Sequence, residues 1–340
     1  MKRKKLNKRI FSILRILVSV SLLSFLIVKN IDNLREIQKV TRQLNISWLV
    51  LAALFYFLSI VFILFRWEVL LKAKEVSVPR RFLLQSVLIG FFYNNLLPTS
   101  VGGDAYRVYD IHTHKGVSLY KGIASVSIER FTSIVVGCLF VFAFVILDLV
   151  GYFEHDFVTS AMIAAILVVV GGVVFLISAL INPYIFKIDV LFRKFKILSK
   201  IRPQVKKFQE TFSSYWKDKK KALVMCLLYN FLVHVLVTLS YYFASMTVGL
   251  GLRFISFLFI LPFSAMVANL PISIGGLGVR ENTLAFILSL IGISESKAAI
   301  FSFLVLFIVL FNALIGGLVY LFKNIFFSTR RSTGNLPKKN

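Results

Sequence analysis

Long apolar runs alternate with short polar segments along this chain. Runs at about 10–28, 46–65, 121–147, 157–181, 222–248 and 298–322 predict six membrane-spanning helices, since about 20 apolar residues cross a hydrocarbon core of about 30 Å. Two further runs, 82–97 and 254–270, are short and end in polar breaks. The first break reads Asn94-Asn95-Leu96-Leu97-Pro98-Thr99-Ser100-Val101-Gly102-Gly103-Asp104, and the second runs from Asn269 to Glu281 through Pro271, Gly275 and Gly276. A broken backbone at membrane depth must find its partners in protein or in a water-filled cavity. Each break therefore predicts a re-entrant hairpin, and residues 283–293 complete the second. Either hairpin can also be read as one broken span or as two. Between the spans, 29–45 reads as an interfacial helix, and Arg66-Trp67 marks the interface at the end of the second span.

The expected fold is thus all-α and polytopic, with about six full spans and two re-entrant broken-helix hairpins related as an inverted repeat. It forms a single membrane domain over 1–340. The first repeat covers about 46–147, with its break at 94–107. A basic loop covers 182–221, and the second repeat covers 222–322, with its break at 269–281.

Composition narrows the function classes. Hydrophobic residues make up 58% of the 340 positions and charged residues only 16%, against about 25% in soluble chains. That excludes a soluble enzyme, a secreted disulfide scaffold and a disordered chain. The net charge of +25 would suit nucleic acid, but the basic residues lie between apolar runs and at the termini. The loop 182–221 holds twelve Lys or Arg against Asp189, Glu210 and Asp218. The positive-inside rule places this loop and both termini in the cytoplasm and the acidic segment 148–156 outside. No nucleic-acid partner is expected. The stretch 187–221 alternates basic and apolar residues, and it reads either as an amphipathic helix on an anionic leaflet or as a topogenic loop. Cys138 and Cys226 sit in apolar runs as small hydrophobes.

The two breaks match each other. Pro98-x-Ser100-x-Gly102-Gly103-x-x-x-Arg107 and Pro271-x-Ser273-x-Gly275-Gly276-x-x-x-Arg280 agree at five positions without a gap, and each follows an apolar run ending in asparagine. Three spans separate them, so the halves would be oppositely oriented, as in transporters that bind substrate at interrupted helices. The chemistry suits an anion. Gly-Gly pairs expose backbone N–H groups, and the following residues can start a half-helix whose N-terminus favours negative charge. Ser100 and Ser273 can cap that helix or donate to a phosphate. Arg107 and Arg280 offer planar forks for phosphate oxygens. Asp104 and Glu281 stand beside them as counter-charges or carriers of a coupling proton.

Glu129-Arg130, inside the third span, either contacts the broken segments or marks the start of the span at Phe131. His112 and His114 lack a third ligand and read as interfacial, and His234 reads as a packed polar residue in its span. No metal and no cofactor are expected. The candidate substrate-binding set is therefore Asn94, Asn95, Ser100, Gly102, Gly103, Asp104, Arg107, Glu129, Arg130, Asn269, Ser273, Gly275, Gly276, Arg280 and Glu281, with no catalytic residue.

Arg66-Trp67, Asn94-Asn95…Pro98…Gly102-Gly103-Asp104-x-x-Arg107, Glu129-Arg130 and Pro271…Gly275-Gly276-Leu277-Gly278-x-Arg280-Glu281 resemble the lysylphosphatidylglycerol synthase transmembrane family, over nearly the whole chain. In longer members this flippase-like region is joined to a cytosolic domain that transfers lysine from lysyl-tRNA to phosphatidylglycerol. The largest loop here, about 40 residues, is below the size of a folded domain, so the resemblance implies lipid translocation without the transferase. The expected function is a flippase-like transporter in the bacterial inner membrane, moving an anionic-headgroup lipid such as lysylphosphatidylglycerol. Its expected partners are membrane lipids, a separate lipid-modifying enzyme and a second copy of itself. Two alternatives are a membrane-embedded lipid-headgroup transferase, with Asp104, Glu129 or Glu281 as base, and an accessory subunit of such an enzyme.

Overall fold

In a computed structural model of the protein, residues 2–29, 34–96, 102–149, 202–269 and 273–332 are described. The expected span at 157–181 lies outside them, as do 150–156, 182–201 and the break residues Pro98, Ser100 and Pro271. Among the described residues all regular structure is helical: α1 (Lys2–Lys29), α2 (Leu34–Arg42), α3 (Ile46–Lys72), α4 (Arg80–Leu96), α5 (Gly102–Lys115), α6 (Leu119–Leu149), α7 (Arg202–Asp218), α8 (Lys220–Val248), α9 (Phe257–Ala268, preceded by a 3₁₀ turn), α10 (Val279–Leu290) and α11 (Glu295–Ser332).

Four of these helices, α3, α6, α8 and α11, are long and apolar enough to cross a membrane. At 1.5 Å per residue, the 27 residues of α3 extend about 40 Å. The protein is a multi-pass all-α membrane protein. Many of the large apolar side chains on these helices point outward, among them Leu54, Phe142, Leu228 and Leu314. Such a surface is stable only against lipid tails.

The succession long helix, short helix, break, short helix, long helix occurs twice. α3-α4-α5-α6 is the first instance and α8-α9-α10-α11 the second. Sliding Pro98 onto Pro271 without gaps lays each element of the first set on its counterpart in the second. The counterparts α3 and α8 pack along each other and run antiparallel. The Asn45 N–H donates to the Thr247 carbonyl (3.4 Å) and Trp48 stacks on Phe243 (5.5 Å). At the far end, Arg66 donates to Asn230. Other contacts are exchanged between the sets: α4 packs on α11, while α9 packs on α6.

Several boundaries differ from the sequence-based expectation. α3 continues beyond Phe65, and Arg66, Trp67 and Glu68 are buried. They face the interior of the bundle. A long polar side chain inside a helix bundle is retained when it has a partner there, and Arg66 has two. α6 begins at Leu119, so Glu129 and Arg130 lie well inside the helix. In the second hairpin the helix after the break starts at Val279, not Thr283. Part of the basic loop forms α7, which rests on α6 and α8. Its Tyr215 is fully buried and donates to the Leu70 carbonyl of α3 at 2.9 Å.

A buried ion pair ties the last helix to the first break. Lys323 of α11 donates to both carboxylate oxygens of Asp110 on α5, at 2.7 and 2.9 Å, and both side chains are under one-tenth exposed. By contrast, the Lys29–Glu295 pair is about half exposed at both ends. Asp110→Ala is expected to cost about 3 kcal/mol because it strands a buried ammonium, and Lys29→Ala no more than about 1 kcal/mol. Thermal unfolding of the two variants in the same detergent measures the contrast.

Candidate functional site

The first break is held by its own asparagines. Asn94 at the end of α4 accepts the Gly103 N–H on its Oδ1 (2.7 Å). This satisfies one of the donors that a helix start leaves open. Asn95 is buried and donates to the Phe91 carbonyl one turn back (2.9 Å). α4 and α5 then fold against each other through Gly90 and Gly103. A Cβ on Gly103 would overlap the Gly90 carbonyl, so only glycine permits this approach.

Behind that contact lies an ionic cluster. Arg107 of α5 grips Glu129 of α6 with both terminal nitrogens (2.8 and 3.2 Å). Its guanidinium lies 4.1 Å from the Trp67 ring centroid, within range for a cation–π contact. The Trp67 indole N–H donates to Ser125 (3.1 Å). Arg66 reaches the same Glu129 oxygen at 3.5 Å, and Asn230, which accepts from Arg66, donates to Thr132 (2.6 Å). Asp104 receives Arg130 at 2.6 Å and stands 3.6 Å from Arg107. Glu129 is 1% exposed and Arg107 5%. The Nε atoms of Arg66 and Arg107 are buried with no hydrogen-bond partner among the described residues. Glu129-Arg130 therefore contacts the first break, the reading in which the pair serves the hairpin.

The second break is built differently. Gly275 and Gly276 have φ of 55° and 79°, so the turn passes through the left-handed region that side chains disfavour. Ser273 does not cap the following helix. α10 starts at Val279, and the Gly278 N–H is taken by Oε2 of Glu281 (2.6 Å). The buried Ser273 Oγ has no hydrogen-bond partner among the described residues. Glu281 is fully buried. Its carboxylate lies within electrostatic reach of Arg280, with no direct hydrogen bond between the two among the described residues. Arg280 donates to the Gly275 carbonyl (3.2 Å). Asn269 is exposed and bonds within its own helix to Ala265 (2.8 Å). α1 supports this turn from outside: Ser19 accepts the Ile274 N–H (2.9 Å), and Asn282 donates to the Leu22 carbonyl (2.9 Å).

The two breaks touch. A Cβ on Gly275 would stand 2.9 Å from the Asn94 carbonyl oxygen and 3.1 Å from the Asn95 Cα. Thus Asn94, Asn95, Gly102, Gly103, Asp104, Arg107, Glu129 and Arg130 form one group. The second group of Ser273, Gly275, Gly276, Arg280 and Glu281 abuts it at Gly275. Asn269 points away, and Ser100 lies outside the described residues. Sequence reasoning passed over Arg66, Trp67 and Asn230 as members. The signal was present, since an arginine and an asparagine inside apolar runs are costly unless partnered. His112 and His114 bond to the Val117 carbonyl and to Asp110, and His234 bonds to the Asn230 carbonyl (3.0 Å). No metal-ligand group of three occurs among the described residues.

Comparison with known proteins decides the family. The family described as lysylphosphatidylglycerol synthase TM region matches residues 12–317. The chain belongs to this family. Its relatives include a UPF0104 membrane protein of Pyrococcus horikoshii, 26% identical over 282 residues, covering 76% of this chain and 82% of the relative. A UPF0104 membrane protein of Methanothermobacter thermautotrophicus is 24% identical over 281 residues, covering 78% and 81%. A third, from Methanocaldococcus jannaschii, is 30% identical over 141 residues, covering 41% of this chain and 40% of the relative. These relatives are membrane proteins of the same family. The family match spans both breaks, three of the long helices of the two sets in full and α11 as far as residue 317.

Proposed function

We propose that this family member is a flippase-like transporter that moves a lipid with an anionic phosphate headgroup across the membrane. The observation that carries the reading is the meeting of the two interrupted helices at Gly275 and Asn94-Asn95. The antiparallel counterparts α3 and α8 support an inverted repeat. A two-fold axis that exchanges antiparallel helices lies across them, in the membrane plane, as in transporters with midplane sites. The headgroup enters the polar region beside the breaks while the acyl chains stay among the outward apolar side chains. Relative rocking of the two sets would open this region to one face and then the other.

The test is reconstitution into vesicles with headgroup-labelled phosphatidylglycerol, following quencher accessibility. Wild type is expected to translocate label faster than protein-free vesicles. Gly275→Val pushes a side chain into Asn94 from a positive-φ position, and it is expected to slow translocation by about tenfold or more, the effect of a small misplacement at a site. Size-exclusion profile and unfolding temperature confirm that this variant is assembled. Wild-type vesicles that behave like protein-free ones, for every phospholipid tried, would overturn the reading.

A further inference from the structure

Three chain segments meet at one end of the molecule: the turn after α3, the first turn of α6 and the junction of α7 with α8. Each brings a lysine. Lys74, in the turn after α3, is half-buried and donates to Ser214 of α7, and its ammonium lies 4.4 Å from the Tyr215 ring centroid. Lys121 of α6 donates to the Lys74 carbonyl (3.1 Å). Lys219, exposed between α7 and α8, lies within electrostatic reach of Lys74. Burial, and then the Lys219 charge, hold the Lys74 ammonium below the usual lysine range. Asp218 acts against them and Lys121 with them.

These lysines lack what other cations of the protein have. Lys72 and Arg80 share Glu68, Arg66 and Arg107 share Glu129, and Lys323 has Asp110. Among the described residues no carboxylate lies within ion-pairing distance of Lys74, Lys121 or Lys219. Over residues 74–75, 121 and 207–221, seven lysines stand against Glu75, Glu210 and Asp218. The helix ends sharpen the imbalance. α6 and α8 both start here, and neither has an acidic residue in its first turn. Lys219 stands at the N-cap of α8 without a side-chain capping bond, and Lys220 and Lys221 follow it. A helix start already carries positive partial charge and favours anions. The lysines therefore stand where the backbone selects against them, a local conflict that a bound negative charge resolves. One turn further into α8 the surface is apolar and outward, at Val224 and Leu228, and Ile123 is its counterpart on α6. Cations at helix starts beside such a surface lie at the depth of lipid phosphates.

We infer that Lys74, Lys121 and Lys219 bind the phosphodiester headgroup of a resident anionic phospholipid, which ties α7 to the turn after α3 while its acyl chains lie on the outward apolar side chains of α6 and α8. This lipid is a fixed component of the protein and not its cargo. The site shares no residue with the two breaks, so the inference stands or falls apart from the transport reading.

The test is thermal unfolding of the full chain in nonionic detergent after delipidation, with added dihexanoylphosphatidylglycerol, dihexanoylphosphatidylcholine or inorganic phosphate. A ligand that binds only the folded protein raises its unfolding temperature with concentration, which gives an apparent affinity. Phosphatidylglycerol is expected to raise the wild-type temperature saturably, and the other two to act at least about tenfold more weakly. The combined variant Lys74→Gln, Lys121→Gln and Lys219→Gln is expected to weaken phosphatidylglycerol binding by about tenfold or more, the scale of lost charged hydrogen bonds. The same three positions changed to Arg should stay within about threefold of wild type. Lys219 is exposed, so Lys219→Glu tests the site without disturbing the fold, and it too should weaken binding by about tenfold. The control removes three exposed cations from other elements, Lys39→Gln, Arg81→Gln and Lys115→Gln, and should stay within about threefold of wild type.

Phosphatidylglycerol binding that survives both the triple Gln variant and Lys219→Glu would overturn the inference, and would place that lipid elsewhere on the protein. A control variant that loses as much as the lysine variant would reduce the effect to unspecific charge. Equal shifts with phosphatidylcholine would assign it to the acyl chains, and binding of inorganic phosphate as tight as that of the lipid would make this a free-anion site. Each of these outcomes overturns the resident lipid and leaves the transport reading as it was.

Discussion

Glu129→Ala is expected to destabilise the protein by about 3–5 kcal/mol, the range for removing one member of a buried charge network. Two cations depend on this carboxylate. Arg107 holds it with two hydrogen bonds, and Arg66 reaches it at 3.5 Å. Neither can move to water, since the cluster is closed by Trp67, Thr132 and Asn230. Glu129→Gln should recover little, because an amide keeps the shape but leaves two guanidinium groups uncompensated. The measurement is the unfolding midpoint of detergent-purified protein, with surface expression as a second readout. A shift as small as that of Lys29→Ala would mean that the cluster is hydrated and would remove its structural role.

Gly103→Val is expected to have an effect of similar size for a different reason. α4 and α5 approach so closely at Gly90 and Gly103 that a single added carbon overlaps backbone. Backbone cannot rotate away as a side-chain tip can, so the hairpin must open, costing about 3 kcal/mol or more, at the upper end of overpacking. Opening it would also withdraw Asn94 from the Gly103 N–H and move Arg107 off Glu129. Gly116→Val is the control. Gly116 has a positive φ, but a Cβ there meets nothing within 4 Å. The control carries only backbone strain, about 1–2 kcal/mol. Equal shifts for the two variants would exclude close helix contact as the cause.

Much of this was legible from residue order. The helices, the breaks and the matched motif followed from apolar run length and from Pro-Gly interruptions, which are local properties. The sites where that reading failed share a cause. Arg66-Trp67 follows an apolar run, and nothing local shows that its side chains are buried among helices. Its true place depends on Asn230 and Glu129, which are distant in the chain and meet it only through packing of α3 on α8 and α6. Ser273 sits where a helix cap would be expected. The left-handed turn at Gly275-Gly276 delays the helix start to Val279 and leaves the serine behind. The identical letters of the two Gly-Gly pairs also hid two uses. One brings helices together and the other turns the backbone, and only neighbours in space distinguish them.

The exchange of contacts between the two sets has a consequence for biogenesis. During synthesis α4 emerges long before α11, the helix it packs on, and α6 precedes α9. The first half must wait in the lipid, with Arg66 deprived of Asn230 and Asp110 deprived of Lys323 until the ribosome delivers them. Such long-range closure makes assembly slow and late. Arrested or truncated chains that stop before α11 would retain unmet polar groups within the bilayer, a signal that membrane quality control can recognise.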